Sequence, residues 1–121
     1  MPISSFTDIE SWKEARELVK EIYLLTDEGK MKVDFGYRDQ LRRAGVSIMS
    51  NIAEGFDSGS NKSFINFLNY AYRSASEVES LIFVGIDVGY IAAEKSKELL
   101  NRTDKIKKLI GGFIKYLKTK N

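Results

Sequence analysis

Apolar side chains recur every three or four positions over four stretches of the chain, with charged and amide residues between them. This spacing puts the apolar residues on one face of a helix, so the pattern predicts helices. The four predicted helices cover residues 9–26, 38–55, 61–88 and 93–118. The stretch 27–36 contains two glycines and alternating charges, which predict a loop.

Four helices with short connections predict an all-α fold, a single antiparallel up-down four-helix bundle that forms one domain over residues 1–121. The last two predicted helices favour this fold because each carries an unbroken seam with steps of three and four, as in a coiled coil. One seam consists of Phe64, Leu68, Ala71, Ala75, Val78, Ile82 and Gly85, and the other of Leu99, Thr103, Ile106, Ile110, Phe113 and Leu117.

Residues 81–88, with the sequence LIFVGIDV, are apolar in every direction around the third predicted helix. Such a helix is buried on every side, whereas a helix in a four-helix bundle keeps one face in water. The segment therefore predicts a contact between subunits. The residues expected at this contact are Leu81, Phe83, Val84 and Val88. A short buried β-strand is the alternative, because the run is rich in β-branched residues.

Several residues predict where the helices begin and end. Thr7–Glu10 or Ser11–Glu14 fits a capping box that opens the first helix. Ser60 fits the N-cap of the third helix, and Gly89 suits the left-handed residue that follows its end. Gly111-Gly112 lies inside the fourth helix, where each glycine costs on the order of 1 kcal/mol relative to alanine. This cost predicts either a close helix crossing or a bend there.

A row of polar side chains follows the second predicted helix at steps of three and four. The row consists of Gln40, Arg43, Ser47, Asn51 and Glu54. Serine and asparagine are indifferent helix formers, so the row predicts a polar network between helices or subunits. A surface that contacts a ligand or RNA, and plain solvation, are the alternatives. The pair Arg42-Arg43 is also expected to form ion pairs with Glu77 or Glu79.

The composition excludes several kinds of chemistry. The sequence has no cysteine and no histidine, so disulfides, thiolate nucleophiles, the commonest metal ligands and the commonest general base are missing. We therefore expect a protein that is not an enzyme, with no catalytic residue, cofactor or metal. The first residues lack the apolar core of a signal peptide, and no apolar run approaches the roughly 20 residues of a membrane span. We expect a cytoplasmic bacterial protein that does not bind membranes.

Charge is unevenly distributed along the chain. Residues 1–93 contain 10 Lys and Arg against 14 Asp and Glu, whereas residues 94–121 contain 9 against 3. The lysines predicted to face outward from the fourth helix are Lys97, Lys105, Lys108 and Lys115. They predict contact with nucleic-acid phosphates, and plain solubility is the alternative. Because no helix-turn-helix pattern or glycine-rich phosphate loop is present, we do not expect base-specific recognition.

The segment 40–55 reads QLRRAGVSIMSNIAEG. It resembles the four-helix-bundle family of 23S rRNA intervening-sequence proteins, whose pattern there is approximately QLRRAAVSIPSNIAEG. Trp12, Phe64 and Gly89-Tyr90 fit the family as well. The chain departs from the pattern at Gly45 and at Met49, which stands where the family has proline. Without that proline the helix is expected to run straighter.

The resemblance implies a bundle that assembles into a homo-oligomer, typically a ring of five subunits. Members of the family are often encoded within insertions in bacterial large-subunit ribosomal RNA genes, which implies association with RNA or the ribosome. The expected function is thus that of a non-enzymatic, homopentameric accessory factor that binds the phosphate backbone of RNA or DNA. The alternative is an assembly or scaffold protein that binds another protein through the oligomer surface.

Overall fold

The computed structural model describes residues 3–120, which form five α-helices and one short 3-10 helix and contain no β-strand. The elements are the 3-10 helix Phe6–Asp8, α1 (Glu10–Thr26), α2 (Gly29–Val33), α3 (Phe35–Phe56), α4 (Asn61–Asp87) and α5 (Ala93–Lys118). The all-α prediction is confirmed. The alternative of a strand at residues 81–88 is wrong, because α4 extends through this segment to Asp87.

The prediction of a loop over residues 27–36 is wrong for seven of the ten residues, because Gly29–Val33 form α2 and α3 already begins at Phe35. Gly29 adopts a φ of 56°, which reverses the chain after α1 and starts the short helix α2. Met31 is buried and holds this turn against the core. Asp34 then caps α3, since its carboxylate accepts a hydrogen bond of 3.2 Å from the backbone amide of Tyr37.

The N-terminal capping box begins two residues before Thr7 and caps the 3-10 helix instead of α1. Ser5 and Asp8 form it around the 3-10 helix, with the Ser5 hydroxyl accepting from the Thr7 amide and Asp8 from the Ser5 amide. The pairs Thr7–Glu10 and Ser11–Glu14 were thus wrong predictions. The side chain of Ser11 points into the core instead, and its hydroxyl has no hydrogen-bond partner within residues 3–120.

The other two predicted helix ends are confirmed. The Ser60 hydroxyl caps α4 by accepting a hydrogen bond from the Ser63 amide. Gly89 has a φ of 80° and ends α4 in a Schellman motif. In this motif the Tyr90 amide donates to the Gly85 carbonyl at 2.8 Å, and the Gly89 amide donates to the Ile86 carbonyl at 3.1 Å.

The four long helices share one hydrophobic core. α1 packs on α3, α3 on α4, α4 on α5, and α5 back on α1. Both seams face this core, with Phe113 partly buried and the other members buried. The largest fully buried side chains are Leu18, Ile22, Leu41, Ile48, Ile52, Leu68, Val78, Ile82, Leu99, Ile106 and Ile110. Each contributes roughly 1.5–3 kcal/mol by leaving water.

Two features of α3 follow from the departures from the family pattern. At Gly45 a Cβ atom would lie 3.0 Å from Ile22 Cδ1, so glycine lets α1 approach α3 closely. α3 also continues without interruption past Met49, and the straighter course expected without proline stays a prediction. Across residues 3–120, no helix combines the length and the apolar character needed to cross a membrane.

Candidate nucleic-acid interface and subunit surfaces

All four lysines predicted to face outward from α5 are exposed. Two of them have carboxylate partners, since Lys105 Nζ lies 3.1 Å from Glu14 Oε2 and Lys108 Nζ lies 3.0 Å from Asp104 Oδ2. Within the described part of the chain, Lys97 and Lys115 have no carboxylate oxygen within 4.0 Å. The four lysines therefore differ in how much positive charge they present to a ligand.

The side of α5 that faces α1 is neutralised by an ion-pair network. Arg102 bridges two carboxylates of α1, with Nη1 at 2.8 Å from Glu14 and Nε at 2.9 Å from Glu21. Lys95 Nζ lies 3.1 Å from Glu21 and 3.4 Å from Glu98. Its hydrogen bond to Glu21 raises the pKa of Lys95 and so favours the charged form. The acidic residues of α1 thus cancel much of the charge on this side.

The opposite side of α5 faces α4 across a shallow groove, which we call the lysine groove. Its lining residues are Tyr72, Asp104, Lys107, Lys108, Gly111, Gly112 and Lys115. Lys107 lies with Nζ 5.1 Å from the ring centroid of Tyr72 and 3.4 Å from Glu79. A Cβ atom at Gly111 or Gly112 would meet no heavy atom within 4 Å, so no close helix crossing within this chain accounts for the two glycines.

The polar row on α3 is divided between contacts to α4 and open surface. The hydroxyls of Ser47 and Ser74 are 2.9 Å apart, and Asn51 Nδ2 donates to the Ser47 carbonyl at 2.9 Å. Gln40 donates to Glu77 over 3.5 Å. The two remaining members, Arg43 and Glu54, are exposed. Part of the row therefore joins α3 to α4, and part of it lies along a surface cavity of about 620 Å³ lined by Phe35, Gln40, Arg43, Ser47 and Glu77 among others.

The ion pairs predicted for Arg42-Arg43 do not form. Arg42 points towards α1, where its Nε donates to Thr26 Oγ1 at 2.8 Å and its guanidinium lies 4.4 Å from the ring centroid of Tyr23. Arg43 has no carboxylate within 4.0 Å among residues 3–120. The two expected acceptors bind other side chains, because Glu77 accepts from Gln40 and Glu79 from Lys107.

Three of the four residues predicted at a subunit contact lie on the surface. Phe83, Val84 and Val88 are 52%, 43% and 55% exposed. Leu81 is 8% exposed and packs in the core of its own chain. Residues 81–88 are therefore not covered on all sides by the other helices of the same chain. Large apolar side chains normally leave water, so this end of α4 is a candidate protein-contact surface.

A cluster of two tyrosines and an aspartate joins the start of α3 to the end of α4, and the sequence pattern gave no sign of it. Tyr37 Oη donates to the Leu81 carbonyl at 2.5 Å, and Tyr90 Oη donates to Asp34 Oδ2 at 2.7 Å. The two rings meet edge to face with centroids 5.5 Å apart. The only sequence signal that could have found this cluster is Asp34 at an N-cap three residues before Tyr37.

The cluster shifts the pKa values of its members. Burial, helped by the negative charge of Asp34, raises the pKa of Tyr37 to about 12. The hydrogen bond to Asp34 raises the pKa of Tyr90, and the same bond lowers the pKa of Asp34. Each shift favours the protonation state that makes the hydrogen bonds, which is the neutral phenol of Tyr37 and Tyr90 and the ionised carboxylate of Asp34. The cluster therefore stabilises the fold. Residues 3–120 contain no group of three or more Asp or Glu side chains placed to hold a metal ion.

These features describe an all-helical protein with a basic helix and an exposed apolar end. A model of the family described as 23S rRNA-intervening sequence protein matches residues 7–112. The chain belongs to this family, as the motif in α3 indicated.

Comparison with solved structures gives the same result. The chain is similar to a protein of unknown function from the S23 ribosomal protein family of Bacteroides thetaiotaomicron, known from a crystal structure. The two chains are 30% identical, and the match covers 87% of this chain and 95% of the other with a TM-score of 0.80. Comparison with curated proteins gives no match.

Proposed function

We propose that this protein is a non-enzymatic, homo-oligomeric accessory factor that associates with RNA or DNA in the cytoplasm and binds the phosphate backbone through α5. The observation that carries the proposal is the charge of this helix. From position 105 to its last residue, Lys118, α5 contains five lysines and no acidic residue. Membership of a family described by a ribosomal RNA insertion supports RNA as the first polyanion to test.

The proposal includes an antiparallel up-down arrangement of α1, α3, α4 and α5. In two pairs of neighbouring helices, residue numbers that rise along one helix meet residue numbers that fall along the other, as expected for antiparallel helices. Between α4 and α5, the rings of Phe64 and Phe113 meet near one end, and Glu79 meets Lys107 further along. Between α1 and α5, Glu14 pairs with Lys105 and Glu21 with Lys95. The opposite directions of these helices support the up-down topology, in which short connections join consecutive antiparallel helices.

Replacing Lys97, Lys105, Lys108 and Lys115 together with glutamine should weaken binding to a structured RNA by at least about tenfold at low salt, because phosphate contacts and their released counterions supply the affinity. Binding is measured by fluorescence anisotropy with a labelled RNA hairpin and a DNA duplex, at low and at moderate salt. The matched control changes four exposed lysines outside α5, which are Lys13, Lys20, Lys30 and Lys32. Unmodified protein that fails to bind at low salt, or equal losses in both variants, would overturn the proposal.

We also propose that the exposed end of α4 is buried between copies of the chain in a ring of five. Val84→Asp or Val88→Asp should leave the helical content unchanged and give a particle smaller than the parent, because a carboxylate at an apolar contact loses its hydration. Native mass spectrometry and circular dichroism measure the two properties. Leu24→Asp is the control, since Leu24 is 64% exposed on a different helix. A monomeric parent protein would contradict the assembly.

The second candidate function is that of a scaffold that binds another protein. The observation that favours it is the same exposed apolar surface of Phe83, Val84 and Val88. Purification of the full chain from its own cells separates the two candidates. A stoichiometric protein partner with no absorbance from nucleic acid would favour the scaffold, and its loss in Val84→Asp would assign the surface.

A further inference from the structure

The two sides of α5 are unequal as binding surfaces for a polyanion. On the side facing α1, Glu14, Glu21 and Glu98 lie within ion-pair distance of the cations. On the side of the lysine groove, the ion pairs among residues 3–120 are fewer, with Lys107 beside Glu79 and Lys108 beside Asp104. Lys108 pairs with Asp104 four residues away on the same helix, and both side chains are largely exposed. Exposed pairs of this kind are weak, so Lys108 can exchange its carboxylate for a phosphate.

Gly111 and Gly112 give an independent reason to choose the groove. Glycine inside a helix is unfavourable, and a close contact with a neighbouring helix normally accounts for it. Here a Cβ at either position would have open space around it, so no contact with another described residue requires glycine. The two residues leave a strip of bare helix backbone between Lys108 and Lys115. A ligand that lies directly on the helix backbone explains why no side chain occupies this strip.

We infer that the lysine groove binds one single strand of nucleic acid through its sugar–phosphate backbone. Lys108 and Lys115 contact phosphates, and Gly111-Gly112 lets the strand lie against α5. The groove also contains the ring of Tyr72, which is 38% exposed. Lysines beside an exposed aromatic ring fit a single strand, whose unpaired bases can stack on the ring, whereas the bases of a duplex are already stacked and paired. The inference rests on the proposed function. It adds which side of α5 binds, which residues contact the nucleic acid and that the nucleic acid is single-stranded.

The first test compares two variants with the same change of charge. In the full chain, Lys108→Gln with Lys115→Gln should weaken binding of a labelled oligouridine strand by about tenfold or more, with a shallower dependence on salt. Lys97→Gln with Lys105→Gln should weaken it several-fold less than the first pair does, since neither lysine lines the groove and Lys105 is paired with Glu14. The same variants are titrated with an RNA duplex of equal length.

The second test separates binding from stability. Gly111→Ala with Gly112→Ala should raise the melting temperature, because alanine favours the helix and meets no neighbour. The same change should weaken oligouridine binding by several-fold, since the methyl groups occupy the strip where the strand lies. A variant that is more stable and binds as tightly as the parent would overturn the role of the glycines.

The outcomes distinguish the inference from the proposed function. If the parent chain binds no nucleic acid at low salt, both fail. If the parent binds but the two lysine pairs lose affinity equally, or the Lys97 pair loses more, the function stands and the groove is the wrong site. If the duplex is bound more tightly than oligouridine with the same dependence on Lys108 and Lys115, the side of α5 is right and the single strand is wrong.

Discussion

Replacing Gly85 with alanine should lower the free energy of unfolding by about 2 to 3 kcal/mol. Gly85 lies where the start of α3 and the α4–α5 connection meet α4. A Cβ at this position would overlap Tyr37 Oη and would lie 2.6 Å from Ile91 Cδ1 and 2.9 Å from Ile91 Cγ1. The added methyl group therefore displaces the hydroxyl that donates to the Leu81 carbonyl. Urea denaturation monitored by circular dichroism measures the loss.

A double-mutant cycle identifies the cause of this loss. Tyr37→Phe removes the overlapping oxygen, so Gly85→Ala should cost at least about 1 kcal/mol less in the Tyr37→Phe chain than in the parent. Gly111→Ala is the matched control, because it is also a glycine inside a helix but has open space around it. It should stabilise the protein by up to about 1 kcal/mol. Equal costs of Gly85→Ala in both backgrounds would contradict the overlap with Tyr37.

Alkaline pH should destabilise the protein through Tyr37. The folded state holds its pKa at about 12, against an ordinary value of 10.0. The neutral phenol stabilises the fold fully below pH 10, and this contribution is lost as the pH rises from about 10 to about 12. A shift of this size corresponds to roughly 2 to 3 kcal/mol. The raised pKa of Tyr90, caused by its hydrogen bond to Asp34, acts in the same direction.

The measurement is the free energy of unfolding at a series of pH values between 8 and 12 for the parent and for Tyr37→Phe. The variant should be less stable at neutral pH and should lose less stability across the alkaline range, because it lacks the titrating hydroxyl. Tyr23→Phe is the control, since Tyr23 is an exposed tyrosine of α1. Parallel curves for the parent and Tyr37→Phe would exclude Tyr37 as the group that titrates.

The long helices could be predicted from the sequence because each buries a continuous face. The seam from Phe64 to Gly85 is buried at every position, as its spacing required. The short helix α2 could not be found in this way, since it has five residues and only one of them, Met31, is buried. A helical period cannot be recognised from a single buried residue. Its presence depends on the core that receives Met31, which a local pattern does not describe.

The side chains that join helices were harder to predict than the helices themselves. The stripe of lysines on α5 was visible as a pattern, but Glu14 and Glu21 neutralise one side of it only because α1 packs beside α5. Arg42 was assigned to α4 and instead points to α1, because adjacent positions on α3 face different neighbours. The helical period shows on which face of its own helix a residue lies. An ion pair also depends on which other helix packs against that face, and the period does not show this.

The contact between α1 and α5 also has a consequence for the chain during synthesis. Glu14 and Lys105 are separated by 91 positions, so their ion pair can form only after α5 has been translated. Until then the apolar faces of α1 and α4 that pack on α5 are exposed to solvent. Exposed apolar faces favour aggregation, so packing of α5 removes a surface that is prone to it.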